Sequence, residues 1–288
     1  MKKQITILML LFAFTAQAQV MANRFFYELT YKPKKDSAKL QNVMTVLDIV
    51  PGKSVYQDYI IVEQDSVRRI AAKKLERDFN FDKMMNSVVN PKFTYRVSKE
   101  YPSMKSTYQD AISMKVFGYD EQLKFDWKIL PERQKIEEYN TQKATVDFGG
   151  RKWTAWFSTD IPFSDGPYKF SGLPGLIVKI EDAEKNYSWL LKGNKTVEVI
   201  SADEELEKKA SQYGLSTKVS IIPKEKFEKA YQNYKADPLA EARPMMSNKE
   251  VMNMKLPGSE MTMAEMLKKA EKMANEMFNS NNNPIEIQ

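Results

Sequence analysis

The sequence predicts an α+β fold that is mainly β. One large antiparallel, meandering sheet, open or rolled into a half-barrel, is expected under amphipathic helices. Three observations predict it. Short runs rich in aromatic and β-branched residues recur from Phe25 to Leu191, with Gly and Pro turns between them. No β-α alternation of the doubly wound kind interrupts those runs. Helical, charged texture is confined to one segment near 65–85 and to the chain after Pro223.

Phe25-Phe26-Tyr27-Glu28-Leu29-Thr30-Tyr31 has the composition of a strand, and Met44 to Val50 is a second. Pro51-Gly52 supplies a turn into Ser54-Val55-Tyr56. From Asp65 to about Met85 the period changes: Val67, Ile70, Ala71, Leu75 and Phe79 recur at helical spacing opposite Arg68, Arg69, Lys73 and Lys74. Strand texture returns at Phe93 to Val97, Ser113 to Phe117 and Lys124 to Ile129.

The stretch from 142 to 191 is the most informative. Two apolar runs, Thr145 to Phe148 and Arg151 to Phe157, flank Gly149-Gly150, a pair able to take the positive φ angles of a two-residue hairpin. Alternation places Trp153, Ala155 and Phe157 on one face and Trp156 on the other, so this strand is expected to be central or covered. Ile161-Pro162 and Gly166-Pro167 interrupt the ladder. Leu173-Pro174-Gly175-Leu176 fits a type II turn with positive φ at Gly175, feeding the apolar strand Leu176 to Ile180. The run Gly172-Leu173-Pro174-Gly175-Leu176-Ile177 thus has an architectural reading. It is a poor phosphate loop, since no Gly-Lys-Ser/Thr follows.

These residues also carry a resemblance. Gln142-Lys143-Ala144-Thr145, Phe148-Gly149-Gly150-Arg151, Trp153-Thr154-Ala155-Trp156, Ile161-Pro162, Gly166-Pro167-Tyr168-Lys169-Phe170 and the hexapeptide, ending near Asp182, resemble the central pattern of the GLPGLI family. Asn283-Pro284-Ile285-Glu286-Ile287 resembles that family's C-termini. The resemblance implies a secreted envelope protein of Bacteroidetes-type bacteria, of unassigned function, encoded in many cases beside outer-membrane transporters. Many members carry a Cys before the Lys-Ala-Thr run, where this chain has Thr141, so a role resting on that thiol is absent here.

Lys2 and Lys3, the apolar run Ile5 to Thr15 and Ala16-Gln17-Ala18 read as a secretory signal cleaved after residue 18. The expected organisation is therefore a leader over 1–18, a β-rich domain over 19–222, and a helical, Met-rich extension over 223–288. No cysteine follows the leader, which excludes a lipoprotein anchor, and no other apolar run is long enough to span a membrane. The net charge of +6 is spread among both signs, without the aromatic-studded basic stripe of a nucleic-acid binder.

Composition limits the chemistry further. The 288 residues contain no histidine and no cysteine, which removes thiol nucleophiles, zinc-thiolate sites, His ligands and Ser-His-Asp triads. Asp147, Asp160, Asp165, Glu181 and Asp182 are the carboxylates a hydrolase would draw on. Their places in and beside turns argue for local hydrogen bonding instead. After Pro223 the methionines Met245, Met246, Met252, Met254, Met261, Met263, Met266, Met273 and Met277 cluster. Met263, Met266, Ala270, Met273 and Met277 step as an apolar helical stripe, so packing is the expected role. A Cu(I) site is the alternative, and Met261 and Met263 could chelate only if their segment is extended. No cofactor and no catalytic residue is expected. The favoured reading is a binding or accessory protein of the envelope, holding an apolar ligand or a protein partner on the concave sheet face and the Met-rich helix.

Overall fold

The computed structural model describes residues 20–64, 89–113, 115–199, 218–255 and 259–287. The leader, the helix expected at 65–85 and the Pro257-Gly258 break lie outside the described residues.

Twelve strands form one sheet among the described residues: β1 (Val20–Tyr31), β2 (Gln41–Val50), β3 (Lys53–Asp58), β4 (Arg96–Glu100), β5 (Lys105–Ile112), β6 (Lys115–Glu121), β7 (Lys128–Ile136), β8 (Tyr139–Phe148), β9 (Arg151–Ser158), β10 (Leu176–Asp182), β11 (Tyr187–Val199) and β12 (Val219–Ile221). Their spatial order is β12-β6-β5-β4-β3-β2-β1-β11-β10-β9-β8-β7. Two meanders are thus zipped together at β1 and β11, whose antiparallel register runs from Val20↔Val199 to Tyr31↔Tyr187. The expected meander is present. It is mixed at one edge, where β12 runs parallel to β6.

Connectivity requires the sheet to curl. β6 and β7 lie ten strand positions apart, which in a flat sheet is roughly 48 Å. Residues 122–127 join them, and six residues with their flanking bonds reach at most about 25 Å. The sheet therefore bends until its two ends approach, yet among the described residues β7 pairs only with β8 and no barrel closes. Phe125 and Trp127 of the crossing segment pack at its mouth against the buried Phe170.

Alternation decides which side of each strand is buried. Phe25, Tyr27, Leu29 and Tyr31 of β1 all join the main core, with Tyr56, Val97, Trp153, Ala155, Phe157, Trp189 and Leu191. On the outer face, Phe26 meets Tyr59 of the helical residues 59–64. β9 lies between β8 and β10, as its two tryptophans imply. Trp153 is fully buried, whereas Trp156 is half-buried on the outer side under Lys143 Nζ.

Several expected strands are displaced. The run at Phe93 belongs to a strand that starts only at Arg96, since Lys92 and Phe93 turn to donate their backbone N–H groups to Asp58. Lys124 to Trp127 is the irregular crossing segment, and β7 begins at Lys128.

After β12 come α1 (Lys224–Ala236), α2 (Arg243–Met246), α3 (Lys249–Asn253) and α4 (Met263–Ser280). Phe227, Tyr231 and Tyr234 share one face of α1 as expected, and Phe227 packs on Tyr108 and Tyr119 of the sheet. α4 begins at a capping box, Thr262 with Glu265, which satisfies two free N–H groups. Its buried residues are Leu267 and Phe278. The expected methionine stripe is not core: Met273 is 40% exposed and Ala270 is exposed too. Phe278, wedged on Tyr231 and Tyr234, is the larger apolar anchor and sets the helix rotation.

Candidate functional site

The connection between β9 and β10 does not run over the surface. Residues 165–171 are buried without a break, inside the curl of the sheet. Phe170 is the hub, with its ring within 6.4 Å of Phe125, Trp127, Phe148, Trp153, Tyr168 and Trp189. A buried loop carries backbone polar groups that need partners. Lys99 supplies three of them: its ammonium donates to the carbonyls of Gly166, Tyr168 and Phe170 at 2.8, 3.1 and 3.3 Å. Its charge is met by Asp165 at 2.5 Å, with both side chains wholly buried. Burial pulls the Lys99 ammonium below its usual value, and Asp165 pulls it partly back. Tyr101 donates to the same carboxylate.

A second cation stands in the loop itself. Lys169 is fully buried, with Glu121 of β6 at 2.5 Å and Glu286 of the C-terminal tail at 2.6 Å. The rings of Tyr108, Tyr119 and Tyr168 surround it at 5.2, 5.3 and 5.5 Å. Such a cage surrounds a buried cation with ion pairs and ring quadrupoles together. Burial would raise the Glu286 carboxyl, but the Lys169 ammonium outweighs it and holds that carboxyl below its ordinary value.

Arg151 is the third. It donates to Asp182 Oδ2 at 3.0 Å, to Asn283 Oδ1 at 2.8 Å and to the carbonyls of Pro284 and Ile285 at 2.8 and 2.9 Å. Asp182 also accepts from the backbone N–H of Tyr187 at 2.6 Å, fixing the β10–β11 turn. The tail is tied down from its other side, because Asn283 donates to Lys32 and Asn186 and accepts from the Tyr187 hydroxyl. The guanidinium fork thus joins the β9 hairpin, the β10–β11 turn and residues 283–285.

The glycines divide into two kinds. Gly149 and Gly150 have φ of +57° and +73°, as a two-residue hairpin requires. A Cβ on Gly150 would also lie 2.6 Å from the Ile287 carbonyl, so the tail crosses here as well. The expectation for Gly175 fails: the positive φ in the hexapeptide belongs to Gly172, at +92°. Gly175 donates its N–H to the Leu173 carbonyl at 2.8 Å, a tight γ-turn about Pro174 rather than a type II turn. What Gly175 provides is room, since a Cβ there would sit 2.1 Å from the Ser158 carbonyl oxygen. Pro174 is exposed, and Leu173, Leu176 and Ile177 are buried to 1% or less. Gly166-Pro167 lies inside the buried run, with Gly166 against Ile177.

The candidate carboxylates are not brought together as one acid–base pair. Asp165 and Asp182 are held in the separate ion pairs above, while Asp147 and Asp160 are exposed. Sequence reasoning missed Lys99 and Glu121, and it placed Lys169 and Glu286 within the resemblance without giving either a role. A signal existed for Lys99, which alternates in phase with buried Val97 on β4. Among the described residues, no cluster of three carboxylates could hold a metal ion, and no helix is long and apolar enough to cross a membrane.

The fold and these contacts define a class: an open, curled sheet plugged by its own loop and latched by its own C-terminal segment. Residues 148–179, from the glycine hairpin through the plug into β10, match a family described as a protein of unknown function, Porph_ging. At the level of sequence, no curated protein matches the chain. Among solved structures the chain is similar to PNGF-II in a P21 crystal, with a TM-score of 0.48 and 13% identity over 76% of this chain and 34% of that one. The C2 crystal of the same protein gives 0.48 and 12% over 75% and 33%. The chain thus spans about a third of the length of PNGF-II.

Proposed function

We propose that this is a non-catalytic binding or accessory protein of the bacterial cell envelope, exported by its leader and related to GLPGLI proteins. One observation carries the reading. The inner face of the sheet, where a cleft would form, holds residues 165–171, and the cations there are neutralised from within the chain. Groups locked in such pairs are poorly placed to exchange protons with a substrate. The surface left for recognition is the outer one, above all the helices, where Met245, Met246, Met254 and Met273 are 40 to 60% exposed. Exposed thioether side chains adapt to a partner's relief. The favoured occupant is therefore a protein of the envelope, bound on the α2–α4 side.

Native mass spectrometry of the protein taken from its own periplasm tests this. A protein partner that dissociates on Met245→Asp/Met246→Asp is the expected result. Turnover of a glycan or ester that stops when Asp160 or Asp182 becomes Asn would contradict it.

A further inference from the structure

With no cysteine and no histidine in the chain, the thioethers of its 17 methionines are its soft donors. Met252/Met254 and Met261/Met263 are spaced i, i+2, a spacing that on a helix sends side chains apart. The backbone at Met254 and at Thr262 is extended. Met254 leaves α3 at φ −61°, ψ 129°, and Thr262 enters α4 at φ −81°, ψ 162°. Lys255 and Thr262 form an antiparallel bridge, and the Met263 N–H donates to the Met254 carbonyl at 2.9 Å.

That register sorts the side chains. Met254 lies opposite Met263, the first residue of α4, and Met261 falls on the same side as Met263, because Thr262 between them is extended and carries its side chain to the other side. Directly opposed residues in an antiparallel pair have Cβ atoms roughly 5 Å apart, close enough for two thioether arms to meet one ion. Lys255 and Thr262 take the other side. There Lys255 pairs with Glu260, and the Thr262 hydroxyl accepts from the Glu265 N–H at 3.3 Å. The charged ammonium is thereby drawn off the methionine face. Met254 is 60% exposed and Met261 and Met263 are half-buried, so the face can be reached from solvent.

We propose that Met254, Met261 and Met263 form a three-thioether site for a soft monovalent cation, Cu(I). The site does not depend on the partner reading above. Thioethers carry no proton, so binding should hold constant from about pH 5 to about pH 8, unlike a thiolate or imidazole site.

The test is anaerobic competition for Cu(I) between the full chain and a chromogenic chelator, at acid and neutral pH. One equivalent should be withheld per chain at both. Met254→Leu, at an exposed position, should weaken retention, and Met254→Leu/Met261→Leu/Met263→Leu should abolish it, with the far-UV spectrum unchanged. Met273→Leu, ten residues further along α4, should retain it. As a second readout, Ag(I) added to methyl-labelled chain should shift these three methionine signals. A wild-type chain that yields all its Cu(I), a triple variant that keeps the equivalent, or Ag(I) shifts confined to other methionines would each overturn the proposal. Should the triple variant not fold, the single variant and the Ag(I) shifts decide.

Discussion

The plug and the outer helices use the same charged residues in opposite ways. Around the plug, partners come from far along the chain and are buried: Arg151 and Asn283 are 132 residues apart. At the connections between the helices, partners are near neighbours and mostly exposed: Arg243 and Asp237 are six apart, Lys255 and Glu260 five, while Lys224 of α1 reaches back to Glu121 of β6. A buried pair binds distant segments into one cooperative unit and leaves a costly bare charge if one member is lost. An exposed local pair contributes little and breaks without consequence. The contrast assigns architecture to the first region and leaves the second free to serve recognition.

The largest way to break that contrast is Lys99→Met. It strands Asp165 in the core and removes a donor from three loop carbonyls, and should cost about 3–5 kcal/mol in urea unfolding. Adding Asp165→Leu should recover part of the loss, because a bare buried charge is then gone. Next is Gly175→Ala. The new methyl meets the Ser158 carbonyl at 2.1 Å, and the cost of shifting two backbones should be about 3 kcal/mol.

A smaller effect depends on pH. Burial raises the Asp110 carboxyl from 3.8 to about 6, although Thr94 and the Ala111 N–H oppose the shift. A raised carboxyl binds its proton more tightly when folded, so its contribution falls as pH rises from about 4 through 6 and is regained on acidification. Its size should be on the order of 3 kcal/mol, and Asp110→Asn should flatten the stability profile in that window. Glu286 has the opposite sign: its lowered carboxyl stabilises above the usual glutamate range and loses that contribution as pH falls below it. At the small end, Met273→Leu on exposed α4 should change stability by less than about 0.5 kcal/mol.

Much of this fold was legible where one face of a strand is buried. Phe25, Tyr27, Leu29 and Tyr31 alternate, and so do Trp153, Ala155 and Phe157, because the core is on one side of them. β7 is different: nearly all of Lys128–Ile136 is exposed, so no apolar rhythm marks it. The glycine hairpin and the architectural cast of 172–177 could be read from turn chemistry. The reason for Gly175 could not, since a close approach to Ser158 is a tertiary fact with no local signature. Lys99 shows itself only through its phase with Val97 on β4, and Lys169 looks like an ordinary surface lysine until the topology brings the plug against β6. Glu286 likewise meets Lys169 only because the tail returns to the hairpin.

That return is the central claim: residues 148–179 and 283–287 are two halves of one interlock. Ending the chain at Asn281 removes Glu286 from Lys169 and three acceptors from Arg151. Hydrogen exchange and urea unfolding of that truncated chain against the full one test the claim most directly. The account predicts a loss of about 3–5 kcal/mol. The amides of Phe170, Gly172 and Ile177, which donate within the plug, should exchange well before those of β1 and β2. An unchanged midpoint with those amides still protected would contradict it.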